Sequence, residues 1–135
     1  MLIRPMELHD CAACAQLDKA TPRALFEKRL GQKESVCLVI ELGGEVAAFA
    51  VLKRARDGLE ADCLRLFNAE RGAPLGVALI AHVKKMLKEQ GVLRVVGRCD
   101  PTLLKYYERQ GLKAVGKLPN FFGVGKDAVA LCVEL

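Results

Sequence analysis

The sequence predicts an α/β (α+β) domain, with a mixed, mostly antiparallel sheet of about six to seven strands and about four helices on both of its faces. Three observations lead to this prediction. Apolar residues recur at helical spacing in two segments near the N-terminus. Three alternating apolar segments then follow one another across tight turns, and the remaining sequence alternates apolar strands with helical patterns. We expect a single domain over residues 1–135.

The first elements are a short strand and two helices. Residues 2–4 predict the strand, which Pro5 stops. Helical spacing over 7–19 rests on the apolar residues Leu8, Cys11, Ala12 and Ala15. Thr21 and Pro22 have the residue types of an N-cap and a first helical position, so we expect the second helix to run from there to about Leu30.

Three antiparallel strands are expected next. Residues 35–42 alternate, with one face made by Val36, Leu38, Ile40 and Leu42. Gly43 and Gly44 suit a two-residue turn that needs positive φ, so 45–53 returns as the partner strand. The third strand, 59–67, is expected to place three residues on one face, namely Asp62, Leu64 and Leu66.

The second half predicts two more helices and three more strands. Apolar residues after Leu75 recur on one helix side, at Leu79, Val83, Met86 and Leu87. Gly91 ends this helix, and 92–99 is apolar enough to be a buried strand. Asp100 and Pro101 begin a helix that ends at Gly111. The last two strands are expected over 112–118 and 128–135.

Composition excludes several classes of protein. Apolar residues make up 52% and charged residues 27%, which favours a folded globule over a disordered chain. No apolar run approaches the roughly 20 residues of a membrane helix. The N-terminal residues lack the apolar core of a signal peptide, so we expect a cytoplasmic protein whose six cysteines are reduced and packed, with no metal. The net charge of +5 is diffuse, and no aromatic platform accompanies it, which argues against nucleic acid as a partner.

Residues 71–76, Arg-Gly-Ala-Pro-Leu-Gly, form a small-residue loop that opens directly into a helix. The free N–H groups and positive dipole end of such a helix start attract phosphates, and glycine lets the backbone come close to them. Pro74 has no N–H and removes one donor, which would cost about 1.5–3 kcal/mol of binding free energy if that donor were used. An ordinary helix start is the alternative interpretation.

The stretch 100–112, DPTLLKYYERQGL, carries a second pattern. Together with the loop and the order of elements, it resembles the GCN5-related N-acetyltransferase (GNAT) family, which transfers the acetyl group of acetyl-coenzyme A to an amine. The family pattern of this stretch is matched by Tyr107, Glu108, Gly111 and Leu112, with Asp100 in place of an asparagine. In the loop pattern, Arg71 and Gly76 match, and Pro74 replaces the middle glycine.

The resemblance implies a catalytic role for one tyrosine. In the family, the residue matching Tyr107 lies beside the coenzyme sulfur and protonates the leaving thiolate, which requires only hydrogen-bond reach. The alternative is that Tyr107 packs against Leu103 and Leu104 on its own helix. Tyr106 is expected to point elsewhere and is the second choice.

Residues 118–135 are similar to the tail of the ribosomal-protein and protein N-terminal acetyltransferase branch. In that branch, a tyrosine pair in the loop between the last two strands helps to hold a peptide. Phe121 and Phe122 stand here instead, so the hydroxyls are absent. The two rings are expected either to wall an apolar acceptor pocket or to belong to the core.

The resemblance also implies where acetyl-coenzyme A binds. It would lie in a V-shaped gap between the strand ending near Phe67 and the strand 93–99, with strand N–H groups polarising the thioester carbonyl. The implied cofactor-binding residues are Leu66, Phe67, Arg71, Gly72, Ala73, Leu75, Gly76, Val77 and Asp100. The amine, a small molecule or a peptide, would attack directly. The branch often has a glutamate base where Val95 stands, so the candidate substitutes are Glu70, Asp62 and Asp100.

Two other classes stay open. A degenerate member of the same fold would bind an acyl-coenzyme or a protein partner without catalysis, as Pro74, Val95 and the missing tyrosine hydroxyls favour. A basic nucleic-acid-binding module is favoured by net charge alone. The family resemblance also makes a homodimer a candidate assembly.

Overall fold

One sheet organises the structure, a computed structural model that describes residues 1–68 and 75–135. Within these residues its strands are β1 (Leu2–Pro5), β2 (Ser35–Leu42), β3 (Glu45–Arg54), β4 (Glu60–Asn68), β5 (Arg94–Cys99), β6 (Lys113–Leu118) and β7 (Ala128–Glu134). The spatial order is β1-β2-β3-β4-β5-β7-β6. All neighbours pair antiparallel except β4 and β5, which are parallel. The predicted mixed, mostly antiparallel sheet is therefore confirmed.

Helices cover both faces of the sheet, as predicted. Their bounds are α1 (Asp10–Leu17), α2 (Arg23–Leu30), α3 (Leu75–Glu89) and α4 (Leu104–Arg109), and a 3₁₀ turn over Pro101–Leu103 precedes α4. The core on one face contains Leu79 and Leu87 of α3, which pack with Leu38 and Ile40 of β2. The core on the other face packs α1 and α2 against the same strands, with Phe26 edge-on to Phe49. Because β2 is covered on both sides, its alternating faces fill two different cores.

The hairpin predicted for β2 and β3 is present, with Gly43 and Gly44 at φ of 57° and 83°. Such φ values suit glycine, and they give the turn the twist that the two strands require. The start of α2 differs from the prediction. Pro22 itself is the N-cap, in an extended conformation, and Thr21 uses its hydroxyl to donate to Asp18 at 2.7 Å. Thr21 is thus occupied by a carboxylate partner and does not cap the helix.

Buried aspartates tie both ends of α1 to the sheet. Arg4 on β1 makes two hydrogen bonds to Asp10 in the first turn, at 2.7 and 2.9 Å. Arg65 on β4 makes two to Asp18, the residue after the helix, at 2.5 and 2.8 Å. Both carboxylates are almost fully buried, so each needs its guanidinium partner.

A bulge interrupts β4 at Leu64. Cys63 pairs with Leu52 of β3 and Arg65 pairs with Val51, so two steps along β4 correspond to one step along β3. The extra residue changes which face the following side chains occupy. Leu64 therefore packs into the core beneath α1 and α2 (the α1/α2 core), and Leu66 packs into the core beneath α3 (the α3 core). The prediction that Asp62, Leu64 and Leu66 share one face is wrong for this reason.

The α3 packing gives a stability prediction. Leu79 is fully buried in the α3 core, and Leu79→Ala should lower the free energy of unfolding by about 2–5 kcal/mol through lost burial and a residual cavity. His82 is exposed on the same helix, so His82→Ala should change it by less than about 0.5 kcal/mol. Urea unfolding of the two variants measures both. Equal effects would contradict the packing of α3 described here.

Candidate functional site

A gap opens between β4 and β5 beyond the first residues of their pairing. The parallel ladder consists of three partners, ending at Asp62 with Val96, whereas β4 continues to Asn68 and β5 to Cys99. The gap begins next to the Leu64 bulge, which bends β4 where the two strands part. In a strand, alternate N–H groups point to opposite edges, so beyond Asp62 some N–H groups of β4 face the gap instead of β5.

Tyr107 of α4 lies beside this gap. Burial is the largest of several causes that together raise the pKa of its phenol to about 12; the thiol of Cys63 on β4, the Tyr106 phenol and the thiol of Cys99 on β5 also raise it, while Arg65 lowers it. The two thiols belong to the two strands that flank the gap, so the phenol lies near both strands. At neutral pH the hydroxyl is protonated and can donate a hydrogen bond or a proton.

Tyr106 reaches the other end of the gap, at the start of α3. A Cβ atom built on Gly76 would overlap the Tyr106 hydroxyl oxygen and would lie 3.5 Å from Nδ2 of Asn68. The two tyrosine rings meet edge to face with centroids 5.2 Å apart. Tyr106 therefore lies against Gly76 at the start of α3, whereas Tyr107 lies near Cys63 and Cys99. The sequence pattern of α4 carries no signal for this contact between Tyr106 and Gly76.

A second cluster lies where β4 and β5 part. Arg98 Nη2 donates to Asp62 Oδ1 at 2.6 Å, and the Arg98 guanidinium lies 5.2 Å from the ring centroid of Phe121. Phe121 meets Phe122 edge to face in the loop between β6 and β7. Their exposures of 49% and 44% exclude the core interpretation of this pair. The cluster therefore presents a carboxylate, a guanidinium and aromatic rings to solvent at the gap.

The predicted cofactor-binding residues divide into three groups. Leu66 and Phe67 lie on β4 at the gap, but their side chains pack into opposite cores, with Phe67 stacked on Phe49 at 5.7 Å. Both side chains are partly buried, so their backbone groups are the polar groups that they offer to a ligand. At the start of α3, Leu75 and Gly76 are buried and Val77 is exposed. The third group lies outside the described residues and comprises Arg71, Gly72 and Ala73.

The candidate bases have other partners or positions. Asp100 caps the 3₁₀ turn, accepting from the backbone N–H of Thr102 at 2.9 Å and from its hydroxyl at 2.7 Å. Those bonds hold the pKa of Asp100 below its usual value. Val95, where the branch has glutamate, is buried in the α3 core. Asp62 is paired with Arg98, and Glu70, like Pro74, lies outside the described residues.

The cysteines are separate thiols, and each strand prediction for them holds. Cys37, Cys63, Cys99 and Cys132 lie on β2, β4, β5 and β7, and Cys11 and Cys14 are buried in α1.

Residues 1–68 and 75–135 contain no group of three or more His, Cys, Asp or Glu side chains placed to hold a metal ion. In the same residues, no helix has the length and apolar character needed to cross a membrane.

The sequence profile described as "Acetyltransferase (GNAT) family" matches residues 4–112, which is most of the chain. The chain belongs to this family. The match includes β4, the start of α3 and the whole of α4, and so contains both sides of the gap. The family resemblance noted in the sequence is confirmed, and with it acetyl-coenzyme A as the cosubstrate.

Solved structures of N-acetyltransferases share the fold of this GNAT chain. The ribosomal-protein-S18-alanine N-acetyltransferase from Escherichia coli is 20% identical with a TM-score of 0.86, covering 98% of this chain and 92% of its own. An aminoglycoside 6'-N-acetyltransferase complexed with coenzyme A is 14% identical with a TM-score of 0.86, covering 99% and 97%. Ribosomal-protein-alanine N-acetyltransferase from Brucella melitensis is 19% identical with a TM-score of 0.85, covering 100% of both chains. No curated protein matches the sequence.

The surroundings of Tyr107 give a spectroscopic prediction. The chain has two tyrosines and no tryptophan, so ultraviolet absorbance of phenolate reports these two groups alone. Burial raises the pKa of both phenols, that of Tyr107 to about 12, so phenolate should form well above the ordinary pKa near 10. In Tyr107→Phe, the remaining titration should belong to Tyr106 and lie lower than that of the lost group. Ordinary titration of both phenols near pH 10 in the folded protein would contradict this burial.

The contact at Gly76 gives a second prediction. Gly76→Ala should displace Tyr106 and destabilise the protein, although alanine favours a helix by about 1 kcal/mol over glycine. In the Tyr106→Phe background the overlapping oxygen is gone, so the same substitution should be more favourable by at least about 0.5 kcal/mol. Thermal and urea unfolding of the four proteins measure this coupling. Strict additivity would show that the hydroxyl does not pack on Gly76.

Proposed function

We propose that this protein transfers the acetyl group of acetyl-coenzyme A directly to a primary amine, with Tyr107 as the general acid. The observation that carries the proposal is the gap between β4 and β5 with a partly buried, protonated phenol beside it. Family membership supplies the cosubstrate and the reaction class. The catalytic role of Tyr107 and the cofactor-binding residues are parts of the proposal.

The coenzyme would be held by backbone groups. Gly76, in the first turn of α3, has no room for a side chain because the Tyr106 hydroxyl packs there, so only its backbone would face a ligand. The first N–H groups of a helix have no partner within it, and with the helix dipole they suit a pyrophosphate; Leu75, Gly76 and Val77 are the first described residues of α3. Arg71, Gly72 and Ala73 would extend this cradle along the loop, and Asp100 would border it after β5.

The thioester would lie in the gap. N–H groups of β4 near Leu66 and Phe67 that have no strand beside them would donate to the carbonyl oxygen and stabilise its growing negative charge. Tyr107 would donate its proton to the sulfur as the carbon–sulfur bond breaks. The amine would form the new carbon–nitrogen bond and lose one proton to solvent or to a base, so the step needs no covalent enzyme intermediate.

The acceptor would enter from the α1/α2 side, over Asp62, Arg98 and Phe121. Asp62 is paired with Arg98 there, and the exposed Phe121 and Phe122 rings would cover an apolar stem next to that pair. A lysine side chain has such a stem, and a peptide N-terminus can carry an apolar side chain next to its amine. Two of the structural neighbours named above act on ribosomal-protein alanine, which supports testing peptide N-termini first.

Tyr107→Phe tests the proposal, with Tyr106→Phe as the matched control. Removing the Tyr107 hydroxyl should lower kcat for thiol release by about 10²–10⁴-fold, because general acid catalysis is lost, while the Kd for coenzyme A stays within about twofold. Tyr106→Phe should keep kcat near the wild-type value. Thiol release with a panel of peptides and amines and calorimetry with coenzyme A supply the measurements.

The reverse pattern, full activity of Tyr107→Phe, would remove Tyr107 from the mechanism.

One alternative has a specific observation behind it. Val95 is buried in the α3 core, and Phe121 and Phe122 lack hydroxyls, as expected of a GNAT chain that binds acyl-coenzyme or a partner without catalysis. Coenzyme binding without thiol release on any tested amine would favour that alternative.

Two further parts of the proposal concern the setting of the reaction. We place the protein in the cytoplasm because all six cysteines are free thiols, and such a chain suits a reducing compartment. A homodimer is the proposed assembly, in keeping with the family resemblance. Sedimentation velocity at several protein concentrations tests the dimer.

A further inference from the structure

Asp18 is a buried carboxylate that accepts hydrogen bonds from Arg65, Thr21 and Ala20. It is 2% exposed and accepts from Arg65 Nε at 2.5 Å and Arg65 Nη2 at 2.8 Å. The Thr21 hydroxyl donates at 2.7 Å and the Ala20 backbone N–H at 3.2 Å. Burial by itself raises the pKa of Asp18, but the hydrogen bonds from Arg65 and Thr21 outweigh it and hold the pKa below its usual value. The group is therefore ionised at neutral pH, and its charge is neutralised mainly by Arg65.

Arg65 occupies a critical place on β4. It is the first residue that pairs with β3 after the Leu64 bulge, and Leu66 follows it at the gap. A bulge leaves one residue outside the ladder, so the strand needs other contacts to fix its direction there. In the described residues the ladder between β4 and β5 ends at Asp62. Two hydrogen bonds from Arg65 to Asp18, which lies between α1 and α2, give β4 a contact of another kind just after the bulge.

We propose that Arg65 is a positioning residue for acetyl transfer: anchored on Asp18, it fixes the bulged part of β4 and thereby the backbone N–H groups that face the gap. The inference rests on the proposed function, because those N–H groups matter only if they polarise a thioester carbonyl.

The chain contains a second ion pair that serves as a control for the clamp, the name used here for each of the ion pairs Arg65–Asp18 and Arg4–Asp10. Arg4 and Asp10 form the same kind of pair, with two hydrogen bonds at 2.7 and 2.9 Å and a carboxylate that is 3% exposed. This pair anchors the other end of α1 to β1, the edge strand, three strands away from β4. The two carboxylates share their burial and their two hydrogen bonds from one guanidinium, whereas Arg4 is less exposed than Arg65 (18% against 41%) and also donates to Glu41. The two pairs also differ in their distance from the gap.

The experiment compares Arg65→Met with Arg4→Met. Both should lower the midpoint of thermal unfolding, because each leaves a buried aspartate without its partner. Arg65→Met should also lower kcat by about tenfold to a hundredfold with a Kd for coenzyme A changed by less than about threefold, since misplacement of donors costs rate more than binding. Arg4→Met should keep kcat within about twofold of wild type. Arg65→Lys, which keeps the charge but loses the planar fork, should fall between.

A second measurement does not depend on activity. Amide hydrogen exchange of residues 64–68 should accelerate in Arg65→Met and Asp18→Asn and stay unchanged in Arg4→Met. Equal kcat in Arg65→Met and Arg4→Met, or unchanged exchange of residues 64–68, would overturn the inference. If wild-type protein acetylates no amine, the proposed function fails, and the exchange data still decide whether Arg65 fixes β4. If Arg65→Met does not fold, Arg65→Lys and Asp18→Asn carry the same comparisons.

Discussion

The short pairing between β4 and β5 is the constraint on which the site depends. Elsewhere in the described sheet, neighbours pair along most of their length, but these two parallel strands share three partners and then separate. A parallel pair that stayed closed to Cys99 would satisfy more backbone groups and leave no room for a thioester. The Leu64 bulge shifts β4 within its ladder to β3 at the point where it leaves β5. The fold thus gives up hydrogen bonds inside the sheet at one place, and donors remain there for a ligand.

Side chains around the gap compensate for the missing ladder. On the α1/α2 face, Arg65 joins β4 to Asp18, and Asp62 joins β4 to Arg98 on β5. The second pair spans the two strands where the ladder ends, so it limits how far they part. On the α3 face, Tyr106 packs against Gly76 and Tyr107 lies near thiols of both strands. Ionic contacts therefore hold the face on which we place the acceptor, and aromatic contacts hold the face of α3 and the proposed coenzyme cradle.

Periodicity was enough to predict most of the fold, because the core of this protein follows simple rules. The alternation in β2, the glycine turn after it and the apolar stripe of α3 each express one local preference, and each prediction held.

The error at Leu64 and Leu66 has a different origin. A bulge has no dependable sequence signal here, and inserting one residue into a strand inverts the expected faces without changing the pattern of residue types. The ion pairs of Asp18 with Arg65 and of Asp62 with Arg98 join residues 47 and 36 positions apart, and no local pattern reveals such pairs. The sequence resemblance pointed to Tyr107 as a candidate, but the place of Tyr106 depends on how α4 meets α3, which is a tertiary contact.

The electrostatics of Tyr107 explain why the position of the leaving group matters to the proposed chemistry. A phenol with a pKa of about 12 is a weaker acid than one in water, and an ordinary thiol has a pKa near 8.5, so full proton transfer to a thiolate in water would be unfavourable. Burial acts on both partners, however, because a thiolate that forms in the same apolar gap is also destabilised and its pKa rises. The two values therefore approach each other when the leaving group is held beside the phenol, and a hydrogen bond between them strengthens as charge develops on sulfur. Arg65 acts in the opposite direction on the phenol, but its effect is the smallest of those on this group and its charge is neutralised by Asp18. The position of the leaving sulfur beside the phenol, and not a nearby free cation, is therefore what the proposed proton donation requires.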